Sequence, residues 1–160
     1  ALMIFRKAMS VLNDFHQTYI RKFKETDLTD IMQIWLKANI EAHNFIPTEY
    51  WTDNYDTVKA VLPLAEVYVY ENDNTKQING FIGLNENYIE GIFVEKSMRS
   101  KGIGKQLLDF AKRIKSKLIL NVYQKNIGAV SFYRREDFVI QSESIDDNTN
   151  EKEFLMTWCK

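Results

Sequence analysis

Between Tyr88 and Leu118 the chain runs from a strand-like stretch, "YIEGIFVEK", through Gly102 and Gly104 into a basic amphipathic helix, "GKQLLDFAKRIKSKL". This succession constrains the fold more than any other, because a strand that feeds straight into a helix calls for a sheet with that helix packed on it. Ile103, Leu107, Leu108, Ala111, Ile114 and Leu118 recur at helical spacing and mark the face to be buried. Lys96, Arg99, Lys101 and Lys105, then Lys112, Arg113, Lys115 and Lys117, stand against Asp109 alone. This local excess of positive charge sits in a chain whose formal net charge is −1.

Two readings fit the glycine pair. The first-turn N–H groups of a helix have no intrahelical partners and the macrodipole favours an anion there, so two missing Cβ atoms would let a phosphate approach the backbone. A plain left-handed turn followed by a solvated basic face explains the same residues. Two nucleotide signatures fail. A P-loop needs Gly at 99 and Ser or Thr at 106, where the chain has Arg99 and Gln106; the dinucleotide fingerprint needs Gly at 107, which is Leu107.

Around this core the pattern predicts a first strand over "TYIRKFKETD", with Thr26-Asp27 capping a helix "LTDIMQIWLKANIEAH". A second helix, "YWTDNYDTVKAVLPLA", follows a break at "NFIPTEYW" and ends near Pro63. Strands are expected at "EVYVYEND", "QINGFIGLNEN" and "YIEGIFVEK", with a hairpin turn at "NDNTKQ". "KLILNVY" reads as a buried central strand, "NIGAVSFYRRED" as a short helix capped by Asn126, and "FVIQSESI" with "KEFLMTWC" as a closing hairpin. The order implies a mixed α/β (α+β) sheet with helices on both faces.

Residues 1–18 are set aside as an N-terminal extension or cloning remnant, and 19–160 is expected to fold as one domain. "ALMIFRKAM" reverses the order of a secretory leader and is too short to span a bilayer, so no membrane association is expected. The lone Cys159 suits a reducing cytoplasm, and one Cys with the separated His16 and His43 makes a metal cage unexpected. The near-neutral charge argues against nucleic acid as partner, although the basic helix alone would permit it. The chain could be a monomer or, through its C-terminal hairpin, a homodimer.

Arg99-x-x-Gly102-x-Gly104 between strand and helix resembles the acyl-CoA pyrophosphate loop of the GNAT superfamily of N-acetyltransferases. Asn126-x-x-Ala129-x-x-Phe132-Tyr133, just after a strand, is similar to that superfamily's second cofactor motif. "AHNFIP…YW", "GIFVEKSMRSKGIGK" and "NVYQKNIGAVSFY" resemble small bacterial acetyltransferases of the YiaC and YjaB type, from Ile20 to Trp158. Two positions depart: Lys96 stands where Pro is common, and Asp137-Phe138 where Gly-Phe is common. Asp tolerates left-handed geometry, so Asp137 can still end the short helix.

The resemblance implies a mostly antiparallel sheet of about six to seven strands, with acyl-CoA in a cleft between two splayed central strands. It implies acetyl-CoA as co-substrate, its pyrophosphate on the loop Arg99, Ser100, Lys101, Gly102, Ile103, Gly104 and Lys105, and its pantetheine arm along the backbone of Phe93 and Val94. Asn126 would bond that arm, Ala129 and Phe132 would pack beside it, and an N–H near Ile92 or Phe93 would polarise the thioester carbonyl. Tyr133 is the general-acid candidate, since a phenol of pKa about 10 keeps its proton at neutral pH; the same residue could simply pack in the core. Glu90 and His43 are the candidates for base or acceptor contact. The segment carrying Glu41, His43, Phe45, Tyr50 and Trp51 would meet the acceptor, its acids and aromatics suiting a cationic amine, although they could equally be core and solvated surface. The activity implied is transfer of acetyl to an amine, a protein lysine or a small cation, in a ternary complex; the alternative is a non-catalytic acyl-CoA-binding sensor or partner domain.

Overall fold

The structure, a computed structural model, describes residues 19–160; the expected extension 1–18 lies outside them. The elements are β1 (Ile20–Lys22), a 3-10 turn (Glu25–Asp27), α1 (Leu28–Ala42), α2 (Thr48–Val61), a 3-10 turn (Leu62–Leu64), β2 (Glu66–Glu71), β3 (Ile78–Asn85) and β4 (Tyr88–Val94). A 3-10 turn (Lys96–Met98), α3 (Ile103–Ile114), β5 (Lys117–Tyr123), α4 (Ile127–Arg135), β6 (Val139–Asp146) and β7 (Glu151–Cys159) complete the chain.

The strands form one sheet in the order β1-β2-β3-β4-β5-β7-β6. Every pairing is antiparallel except β4 with β5, which run parallel and share a single registered pair, Tyr88↔Ile119. By contrast β3 and β4 stay paired from Asn85↔Tyr88 to Gly80↔Val94, and β5 and β7 along all of β5. Beyond Tyr88 the two central strands therefore diverge, opening a wedge in the middle of the sheet. This is the splayed, mostly antiparallel architecture that the motifs imply.

Alternation along the strands sends side chains to two cores. Under α1 and α2 lie Ile31, Met32, Trp35, Trp51, Val69 and Phe81. Under α3 and α4 lie Ile82, Leu107, Leu108, Ala111, Leu118, Leu120 and Met156. Burying each of the large aliphatic side chains is worth about 1.5–3 kcal/mol, which is why α3 holds its amphipathic register against the sheet.

The N-terminal region departs from expectation. β1 is only Ile20–Lys22, and Asp27 does not cap α1: its backbone is already helical (φ −83, ψ −15). The carboxylate instead accepts the Lys24 N–H (2.8 Å) and both terminal nitrogens of Arg21 (2.8 and 2.9 Å), while Arg21 also reaches Glu71. This fork ties β1, the first turn and β2 together and leaves Asp27 only 6% exposed. Burial alone would push the Asp27 carboxyl up, but the hydrogen bonds from Arg21 and Lys24 outweigh it and hold the group below its ordinary range. A group depressed in this way stabilises the fold above its unfolded pKa and ceases to do so as pH falls through the folded value. Asp27→Asn is expected to cost about 2–3 kcal/mol at pH 7, between an exposed and a fully buried pair, and much less near pH 3. Urea titrations at the two pH values check this; an equal deficit at both would overturn it.

α4 ends as its sequence departure allows. Asp137 takes φ +69, its N–H bonds Arg134 O (3.1 Å) and the next N–H, of Phe138, bonds Tyr133 O (2.9 Å), the doubly bonded helix end usually built on glycine. The turn brings the Phe138 ring to 5.5 Å from Tyr133.

Candidate active site

Where β4 has parted from β5 it is roofed by the last turns of α1 and flanked by the N-terminal ends of α3 and α4, and these elements line a cavity of about 630 Å³. One wall is the loop into α3. Ser100 and Gly102 both have positive φ (62 and 82), and Gly102 is the residue before the helix proper. Gln106 N–H is bonded to Gly102 O (3.0 Å), so the amides ahead of it in the first turn are left for solvent or a ligand. A Cβ placed on Gly104 would come no closer than 3.8 Å to Phe132 and Val94. The protein itself does not require glycine there; the vacant volume belongs to the cleft.

The loop's cations are already engaged. Arg99 Nη1 pairs with Glu41 at 2.9 Å and its Nε donates to Val94 O (3.3 Å), while Lys105 pairs with Glu136 (3.0 Å) and Asp109 (3.3 Å). Lys101 does not line the cavity; it is exposed, its Nζ 3.9 Å from Met98 sulfur. Glu41, read as an acceptor-side residue, therefore sits at the glycine loop.

The floor is β4, where Gly83↔Gly91 is followed by Leu84↔Ile89, so that Glu90 is one residue too many. Such a bulge twists the strand and frees backbone groups from the ladder. A Cβ on Gly91 would fall 2.4 Å from the Phe93 ring, so only glycine lets Phe93 fold back over the bulge. Glu90 itself lines a different cavity of 520 Å³, with Trp35, Phe81 and Phe93. Phe93 borders both.

The opposite wall is α4. Asn126 caps it, its Oδ1 accepting the Ala129 N–H (3.3 Å). Ala129, Phe132 and Tyr133 line the cavity from the first two turns. Tyr133 is 8% exposed, between Phe132 (5.2 Å) and Phe138. Burial, with Tyr88 adding a smaller push, raises its pKa well above the usual phenol value, so it carries its proton at neutral pH.

His43 follows α1 and reaches the same cavity. Its Nδ1 lies 3.0 Å from Asn39 O and its Nε2 3.2 Å from Asn126 Nδ2. The ring stacks on Trp51 (5.1 Å) and meets the edges of Phe45 (5.7 Å) and Tyr123 (5.2 Å). Burial lowers its pKa and keeps it neutral. Trp51 is core, against Trp35; Tyr50 leans on Trp51 (4.9 Å) and is pushed up by burial and then by the charges of Asp146 and Glu153.

Of the residues read from sequence, the cavity thus gathers Phe93, Val94, Arg99, Ser100, Gly102, Ile103, Gly104, Lys105, Asn126, Ala129, Phe132, Tyr133 and His43. It does not gather Glu90, Lys101, Glu41, Phe45, Tyr50 or Trp51. Sequence reasoning missed the roof, Ala38, Asn39 and Ala42. Ala38 and Ala42 stand four apart, a spacing of small side chains that leaves room along one helix face. At the closed end of the splay the Tyr88 hydroxyl accepts from Asn121 Nδ2 (3.0 Å). Among the described residues no group of three or more His, Cys, Asp or Glu side chains could hold a metal ion, and no helix is long and apolar enough to cross a membrane.

A model of the acetyltransferase (GNAT) domain matches residues 63–140. The peptidyl-lysine N-acetyltransferase YiaC of Escherichia coli is 32% identical over 141 residues, covering 87% of this chain and 95% of YiaC. The chain belongs to the GNAT acetyltransferases. It is an acyl-CoA-dependent N-acetyltransferase. The solution structure of apo YjaB from E. coli shares 27% identity with this GNAT chain at a TM-score of 0.78, covering 87% of this chain and 95% of that one. A Bacillus anthracis acetyltransferase, named provisionally for streptothricin and solved with acetyl coenzyme A, matches at 27% identity and a TM-score of 0.54 over 60% of this chain and 62% of its own.

Proposed function

We propose that this GNAT acetyltransferase moves acetyl from acetyl-CoA to the ε-amine of lysine in a protein or peptide, by direct transfer in a ternary complex. The observation that carries this reading is the convergence, beside the stretch of β4 that has parted from β5, of the glycine loop, the Asn126 cap and the buried Tyr133 on a single 630 Å³ cleft. The cleft fits the co-substrate: unpartnered first-turn amides and the unfilled space at Gly104 suit a pyrophosphate, and the edge of β4 that is not paired with β5 suits an extended amide chain. YiaC and YjaB, both named for peptidyl-lysine, support the choice of acceptor.

Acetyl-CoA supplies the acetyl group as a thioester whose sulfur leaves as thiolate. The chain supplies the rest. Amides of Ile103, Gly104 and Lys105 would hold the diphosphate, with Arg99 and Lys105 exchanging a carboxylate partner for phosphate oxygens. An N–H at Ile92 or Phe93, beside the bulge, would donate to the carbonyl oxygen as negative charge grows on it. Tyr133 would give its proton to the departing sulfur. Glu90, at the bulge, would draw the proton from the incoming ammonium, directly or through water. The apolar walls of its cavity, Trp35, Phe81 and Phe93, suit the aliphatic stem of a lysine. Cys159 is exposed and borders no part of the cleft, in keeping with transfer that needs no acetyl-enzyme.

The test is thiol release by the purified protein with acetyl-CoA and lysine peptides blocked at their N-termini, with mass spectrometry locating the acetyl group. Acetyl-lysine is the expected product. Tight CoA binding without transfer to any peptide or small amine would establish the sensor alternative instead.

A further inference from the structure

The last turn of α1 touches both walls of the cleft. Glu41 pairs with Arg99 on one side, and His43 meets Asn126 on the other. We propose that His43 is a positioning residue: it holds the Asn126 amide in the orientation that serves the acyl-CoA arm, and so ties the loop between α1 and α2 to cofactor affinity. This rests on the reading of the cleft as the acyl-CoA site.

The argument is an inventory of donors and acceptors. Asn39 O is a carbonyl and can only accept, so the Nδ1 facing it at 3.0 Å must carry the imidazole proton. Nε2 of the neutral ring is then a lone pair. Asn126 Oδ1 is committed to the Ala129 N–H, which fixes which end of the amide is nitrogen and turns the NH₂ toward His43. One of its two N–H bonds goes to His43 Nε2 at 3.2 Å; the second is left for a carbonyl acceptor. Each atom can play only the part assigned to it, so the chain Asn39 O, His43, Asn126, Ala129 N–H has one consistent arrangement.

His43 cannot at the same time serve the acceptor amine. Its only lone pair is engaged, and the stack on Trp51 with the Phe45 and Tyr123 edges bars the ring from turning toward another partner. The residues that follow, Asn44 to Pro47, lead from this anchor into α2. The loop between α1 and α2 is therefore tied to the N-cap of α4 through one hydrogen bond.

His43→Phe fills the aromatic slot but removes the acceptor, whereas His43→Gln carries a carbonyl oxygen to about the Nε2 position without a titratable nitrogen. The reaction is followed by steady-state kinetics, and CoA binding by calorimetry without any acceptor. Losing a hydrogen bond to a semi-buried amide should raise the CoA Kd and the acetyl-CoA KM about tenfold in His43→Phe, with kcat changed less than about threefold. His43→Gln should restore both to within about threefold of the parent. In an Asn126→Ser background, which keeps a helix cap and loses the amide, His43→Phe should change CoA affinity less than about threefold. A His43→Gln enzyme with parental CoA affinity and a kcat lowered about a hundredfold would make His43 the base and overturn the proposal. So would a His43→Phe protein that binds CoA as the parent does. If the parent itself binds no CoA, the reading of the cleft falls first, a result distinct from parental binding that the variants leave unchanged.

Discussion

Tyr133→Phe is expected to lower kcat by about 10²–10⁴-fold, the usual worth of a positioned proton donor, with CoA affinity left within about twofold. The split between the two parameters is the diagnostic part. Tyr133 lines the cleft and is held by Phe132 and Phe138, so Phe at this position keeps the packing that shapes the wall. What it removes is the proton. Burial raises the phenol's pKa, so the donor form persists through the neutral range and the loss should not be relieved by mild changes of pH. Steady-state kinetics with saturating lysine peptide, beside calorimetry with CoA, decide the point. Full activity in the variant would remove Tyr133 from the chemistry and leave it as a core aromatic.

The second large effect is expected at Gly104. In most helices replacing glycine by alanine stabilises by about 0.5–1 kcal/mol, because the unfolded chain loses freedom and the helix does not. Gly104 meets the conditions: it lies in α3, its φ is not positive, and a new Cβ would make only ordinary contacts with Phe132 and Val94 at 3.8 Å. Gly104→Ala should therefore melt no lower than the parent. The same methyl points into the space proposed for the diphosphate. Gly104→Val, which adds two more carbons there, should raise the acetyl-CoA KM about a hundredfold, the loss of two charge-assisted hydrogen bonds, while the fold survives. Thermal melts and CoA titrations of the two variants separate folding from binding. A Gly104→Val protein with parental acetyl-CoA KM would show that the diphosphate lies elsewhere.

The place of Gly104 between a strand and an amphipathic helix is set by local pattern, and so are the cap at Asn126, the tolerance for left-handed geometry at Asp137 and the alternation of the strands. Each depends on residues within a few positions of one another, where backbone geometry fixes the consequence. The run from β2 to β7, the helix faces and most of the residues that line the cleft were legible for this reason.

The acceptor side was not. Glu41, His43 and Glu90 were all chemically plausible neighbours of an amine, and their residue types could not say otherwise. Docking of α1 over the wedge takes Glu41 to Arg99 and His43 to Asn126, and the bulge turns Glu90 toward a second cavity. Asp27 met the same fate when Arg21 and the Lys24 N–H claimed a carboxylate that local spacing had offered to α1. The sequence alone determined the order of elements, the two motifs that flank the cleft and their family, because these are properties of short spans. Only the tertiary structure decided where β4 and β5 part and which polar groups each side chain satisfies. Partners far apart in sequence compete for one hydrogen-bonding atom, and that competition is settled by packing.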